Sequence, residues 1–100
     1  MVRHIVMWKL KDHAEGADRA SNAQKIKDLL EGLRGQIPGL LHIEIGIDFS
    51  ATHQSADVVL FSEFVSRAAL DAYHQHPAHV ATKDFIGAVR ESRTVADYEV

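Results

Sequence analysis

Two patterns of hydrophobic and polar positions recur along this chain: short runs of β-branched and large apolar residues that predict strands, and stretches with apolar residues every three or four positions that predict helices. Residues 2–11 (VRHIVMWKLK) are rich in β-branched and large apolar side chains and predict a strand. One face carries Val2, His4, Val6, Trp8 and Leu10; the other carries Arg3, Ile5, Met7, Lys9 and Lys11. Apolar residues occupy both faces at its centre, which predicts cover on both sides. Residues 12–19 are polar and read as a connection. The spacing of Ala23, Ile26, Leu30 and Leu33 then predicts a helix from about Ala17 to Leu33. Ser21 and Gln24 fit a capping box at its start, although an earlier start fits equally well, and Gly35 suits its C-terminal cap. Ile37-Pro38-Gly39 is a turn.

Residues 40–49 alternate strictly, with Leu41, Ile43, Ile45, Ile47 and Phe49 on one face and Leu40, His42, Glu44, Gly46 and Asp48 on the other. A polar loop follows. Residues 57–64 form a third strand, again apolar on both faces at Val58 to Phe61. Ser66 suits the N-cap of a second helix with Ala69, Leu70 and Tyr73 inward. Pro77 disfavours helical geometry at His76, so this helix ends near Gln75, and Pro77 fits the first position of a new one. His79, Val80, Phe85, Ile86 and Val89 carry that helix to about Arg90, and residues 92–99 close the chain as a fourth strand.

Strand, helix, strand, strand, helix, strand is the split βαβ order. It predicts an α+β, ferredoxin-like βαββαβ domain over residues 1–100, with a four-stranded antiparallel sheet and helices on one face. Ile5, Met7 and one side of the second and third strands then form an apolar patch on the helix-free face. Such a patch is more often an interface than bare surface. The expected partner is a second copy of the chain, two sheets facing each other as a dimeric α/β barrel.

Composition narrows the function. Hydrophobic residues make up 46% and charged residues 25%, ordinary for one soluble domain with one core. A net charge of −3 supplies no basic stripe for phosphates, which argues against nucleic acid. No apolar run approaches the ~20 residues that span a bilayer, and the N-terminus lacks the apolar core of a signal peptide, so no membrane role and a cytoplasmic location are expected. With no cysteine, disulfides, thiolate metal sites and a cysteine nucleophile are excluded.

The stretch Tyr73-His74-Gln75-His76-Pro77-Ala78-His79 concentrates three of the seven histidines. A metal is a poor fit. Structural zinc usually takes four protein ligands, and His74 and His76 point in different directions across a helix end. His76 reads instead as a helix C-terminal residue favoured by the macrodipole, and His74 and His13 as surface residues. Asp97 is expected to pair with Arg3 or Lys9 across the sheet.

Several motifs together resemble the stress-responsive A/B barrel (Dabb) family. They are the first strand from Val2 to Lys11, the turn Ile37-Pro38-Gly39, the segment Tyr73-x-x-His76-Pro77-x-His79, and Val95-Ala96-Asp97-Tyr98 in the last strand. The resemblance covers essentially the whole chain and implies a dimeric α+β barrel. The family includes plant stress-associated proteins and olivetolic acid cyclase, a cofactor-independent polyketide cyclase whose pocket residues match His4, Tyr73 and His79 here. This chain departs from the cyclase at Asp57, where the cyclase has a pocket histidine, and at Trp8, where the cyclase has a smaller residue.

Chemically, His79 is then the candidate base: an imidazole titrating near neutrality can remove a proton next to a carbonyl. Tyr73 can donate to the enolate oxygen that develops, with His4 in support. No metal or organic cofactor is needed. Val6, Trp8, Leu70 and Phe85 are the expected walls of a pocket for a small hydrophobic or β-keto ligand. In the competing reading, a non-catalytic stress-related or ligand-binding dimer, His79 bonds a backbone carbonyl, Tyr73 is a core aromatic, and Trp8, Leu70 and Phe85 fill the space.

Overall fold

β1, Val2–Leu10, is the central strand on which the sheet is built, because it pairs antiparallel with two others. The computed structural model describes residues 1–100. After β1 come a two-residue hairpin, β2 (His13–Ala14) with β3 (Ala17–Asp18), then α1 (Arg19–Glu31), β4 (Leu40–Ile47), β5 (Val58–Phe64), α2 (Arg67–Gln75), α3 (Pro77–Val89) and β6 (Arg90–Glu99). The sheet order is β4-β5-β1-β6, with all three pairings antiparallel. The ferredoxin-like α+β arrangement is the expected one, with the second helical region split into two helices.

Side-chain alternation sends Val2, Val6, Trp8 and Leu10 of β1 to the helical side. Ile43 and Ile45 of β4 and Val58, Leu60 and Phe64 of β5 join them there. They pack on Ala23, Ile26 and Leu30 of α1, on Leu70 and Tyr73 of α2, and on Ile86 and Val89 of α3. The opposite face has no helix. Ile5 and Met7 lie there beside Val59, Phe61 and Tyr98, and Met7 remains 43% exposed.

The break at Pro77 is local chemistry. His76 takes φ −65°, ψ 132°, the extended geometry that a following proline favours. Its role differs from the expected helix-end charge. His76 ends α2 and caps α3, its Nδ1 accepting the N–H of Ala78 at 3.1 Å.

Other expectations are corrected. The N-cap of α1 is Asp18, which accepts from the Ser21 N–H at 2.8 Å, so Ser21 and Gln24 form no capping box; Gly32 is the C-cap. The polar connection contains a hairpin whose central residues, Glu15 and Gly16, both have positive φ, as a type I′ turn needs. Register shifts between Leu40 and His42, so β4 does not alternate from its first residue. Leu41 is 57% exposed as a result. Phe49 lies beyond the strand and is exposed, as is Val80 on the outer side of α3. No helix is long and apolar enough to cross a membrane.

Candidate functional site

β6 is the edge of the sheet that the helices cover least, and every residue of it after Arg90 is exposed. Between this edge and α2–α3 lies a cavity of about 390 Å³, within the range of small-molecule sites. Val6, Trp8 and Leu60 of the sheet, with Leu30 and Ile86 of α1 and α3, provide its apolar wall. His4, Tyr73, His74 and His79 provide the polar one.

His4 is 2% exposed, a buried polar side chain on the core face of β1. Its Nδ1 stands 2.5 Å from Oδ1 of Asp97, the residue directly opposite on β6. A carboxylate only accepts, so Nδ1 carries the proton, and in the neutral ring Nε2 keeps its lone pair. The Ser62 hydroxyl donates to the His4 carbonyl at 2.8 Å, fixing the backbone beneath the ring.

Two rings of α2 stand beside that imidazole, and a third joins them from α3. His74 lies 5.2 Å from it and Tyr73 6.2 Å, centroid to centroid, and His79 lies 4.2 Å from Tyr73. Nδ1 of His79 donates to the carbonyl of His74 at 3.4 Å across the α2–α3 junction, which again leaves Nε2 unprotonated. Burial pushes the His79 imidazole down to about 4; nearby Lys83, His74 and His4 push the same way, partly opposed by the bond to His74. Burial also lowers the His74 pKa, with His4 adding to the effect. Burial raises the Tyr73 hydroxyl to about 12, which keeps it a donor at any physiological pH.

Of the residues singled out in the sequence, His4, Tyr73, His79, Val6 and Trp8 therefore meet around one cavity. Leu70 and Phe85 do not. Leu70 is buried in α2, where it borders a different surface pocket, and Phe85 lies under the ammonium of Lys25 at 4.3 Å. His74, expected on the surface, lines the cavity. Asp97 pairs with neither Arg3 nor Lys9. Arg3 stands 3.4 Å from Glu63, and Lys9 donates to the carbonyl of His53. Asp57 accepts the N–H of Leu10 and stays out of the cavity, while His42 sits on the helix-free face against Phe61.

Lys83, Arg90 and Arg93 also line the cavity. Nothing in the sequence pattern distinguished them from solvated charge. The α3–β6 chain reversal brings them to one side of it. No group of three or more His, Asp or Glu side chains converges as a metal site. The cavity thus offers two imidazole lone pairs, a phenolic donor and three cations to one small molecule.

Comparison with curated proteins gives no match. Among solved structures, a dimeric protein of unknown function with a ferredoxin-like fold from Bacteroides fragilis is 30% identical. The match covers 99% of this chain and 95% of that one, with a TM-score of 0.87. A Dabb family protein from Mesorhizobium loti is 25% identical over 99% and 95% of the two chains, with a TM-score of 0.75. The hydroxynitrile lyase from Passiflora edulis shares the fold at 21% identity, over 99% and 92%, with a TM-score of 0.78. Residues 2–100 match the Stress responsive A/B Barrel Domain family, and with the fold, the motifs and these neighbours in agreement, the chain belongs to that family, Dabb.

Proposed function

We propose that the cavity is the active site of a cofactor-independent enzyme that moves a proton on a carbonyl compound, in a cyclase, isomerase or lyase type of reaction. The observation that carries this is the buried His4 imidazole on the cavity wall, held by Asp97 on the exposed edge strand and set beside Tyr73. The imidazole Nε2 takes a proton from the carbon next to the carbonyl, the C–H electron pair forms the C=C bond of an enolate, and the C=O π pair moves to the oxygen. The Tyr73 hydroxyl donates to that oxygen as charge develops. Asp97 holds the ring in one tautomer and faces the positive charge that forms, the role a carboxylate has behind a catalytic histidine. Returning the proton to a different atom gives an isomer; attack by the enolate carbon on a second carbonyl of the same molecule closes a ring, and the new alkoxide takes the proton back from the imidazolium.

The base role goes to His4 rather than His79. A group titrating at about 4 takes a proton weakly at neutral pH, and His79 has no carboxylate behind it. His79 instead offers a neutral imidazole that accepts from the substrate.

A homodimer belongs to this reading, formed through the helix-free face, as does the cytoplasmic location. The Bacteroides fragilis protein is described as dimeric, which supports it.

Two observations favour the quieter alternative, a ligand-binding dimer without turnover: His79 bonds the backbone carbonyl of His74, and Tyr73 packs on Phe64, at 5.1 Å between centroids, and so ties α2 to the sheet. The two readings are separated by following deuterium uptake next to the carbonyl of aryl ketones and keto acids by NMR. Catalysis predicts exchange faster than in buffer, abolished by His4→Ala and reduced less than tenfold by His79→Ala. No acceleration over buffer with any of them would leave only the binding role, and the opposite pattern of the two variants would return the base role to His79.

A further inference from the structure

The charges on the cavity are one-sided. Lys83 from α3, Arg90 at the α3–β6 junction and Arg93 from β6 all line it, and no aspartate or glutamate does. The carboxylate of Asp97, on the same strand as Arg93, is engaged with His4. None of the three cations forms an ion pair within the chain, although Arg3, Arg19, Lys27 and Arg67 each do so elsewhere. A solvated surface normally intersperses the two signs, and this chain has more acidic than basic residues, 14 against 11. Three unpaired cations on the rim of one cavity therefore run against the protein's own charge balance. The wall repeats the imbalance. Trp8 is 4% exposed, and its Nε1 is the one buried side-chain polar atom without a partner. An unmatched buried donor is costly, and an acceptor brought by a ligand would satisfy it.

Resting on the assignment of this cavity as the reaction site, we propose that its substrate is a keto carboxylate, its carboxylate held by Lys83, Arg90 and Arg93 and its carbonyl directed toward His4 and Tyr73. The cations line the same cavity as the histidine pair, so one small molecule can meet both groups. Guanidinium groups suit carboxylate oxygens through paired N–H donors, and the field of the rim draws anions toward the opening.

The test is calorimetric titration of the intact protein with benzoylacetate, its neutral ethyl ester and inorganic phosphate. Benzoylacetate is expected to bind at least tenfold more tightly than the ester and more tightly than phosphate, and to weaken as salt is raised. Arg93→Gln and Lys83→Gln, both at exposed positions, should each weaken benzoylacetate at least threefold and together at least tenfold, with the ester unaffected. Equal affinity for acid and ester, unchanged affinity in the double variant, phosphate binding as tightly as benzoylacetate, or no binding of any of the three overturns the proposal. The two readings fail separately in the wild-type protein: benzoylacetate bound without turnover counts against catalysis alone, and turnover with equal affinity for acid and ester counts against the carboxylate pocket alone.

Discussion

Asp97 and His4 are directly opposed on the β6–β1 ladder, and the 2.5 Å contact between Oδ1 and Nδ1 joins an exposed edge strand to a buried ring. Replacing Asp97 by Asn puts an amide where only an acceptor fits, so the ring can turn to the tautomer whose Nε2 is protonated. Turnover is expected to fall about 10²- to 10⁴-fold, chiefly in kcat. Asp97→Ala leaves a buried N–H unpaired and should cost about 1–3 kcal/mol of stability as well. Denaturant melts alongside steady-state kinetics check both; an unchanged kcat in Asp97→Asn removes the orienting role.

Protonation of His79 opposes folding. Its folded value of about 4 lies below the ordinary 6.5, so the unfolded chain binds a proton first as pH falls. The contribution is therefore complete above about pH 6.5 and is lost progressively down to about pH 4. The lowered pKa of His74 adds in the same direction. His79→Phe should flatten stability against pH in that window, by up to one proton in slope, and leave it unchanged above pH 7. Urea melts from pH 4 to 8 would show it; an equal slope in wild type and variant refutes it.

Gly39 tests the turn that leads into β4. Its φ is +81°, and an added Cβ would stand 2.6 Å from the Cβ of Ala69 on α2. Gly39→Ala combines a left-handed backbone with overpacking, each worth about 1–3 kcal/mol. A loss of roughly 2–4 kcal/mol is expected, read as a fall in Tm of about 10 °C or more at this chain length. A shift under 3 °C would mean that α2 moves aside.

Association should depend on the centre of the helix-free face. Met7→Lys with Phe61→Lys places two charges among Ile5, Val59 and Tyr98. Light scattering should give a dimer for the wild type and a monomer for the double variant, with the His4 side of the sheet undisturbed. A wild-type monomer at tens of micromolar defeats the dimer.

What the sequence disclosed follows the range of the interactions involved. The first and third strands and the break at Pro77 are set by neighbouring residues and were readable. The His4–Asp97 pair was not, since no local pattern selects Asp97 from Arg3 or Lys9 as the residue to match. Only the ladder register, which pairs Val2 with Glu99 and so His4 with Asp97, does so. Leu70 and Phe85 failed as cavity residues for a different reason. Helical periodicity separates inside from outside, but the inner side of α2 and α3 faces filled core and open cavity alike. His74 was judged by its spacing from His76, when the α2–α3 turn is what folds it back toward His79.

The pairing of the first strand with the last also governs when the site exists. His4 and Asp97 are 93 residues apart, so during synthesis the ring leaves the ribosome almost a whole chain ahead of its carboxylate. A nascent chain ending at Val89 has every helix and three strands of the sheet, but neither Asp97 nor Arg93. Closing so long a loop is slow compared with forming the local helices. The protein should therefore become competent in one late step, and a fragment that folds well without β6 should have no activity.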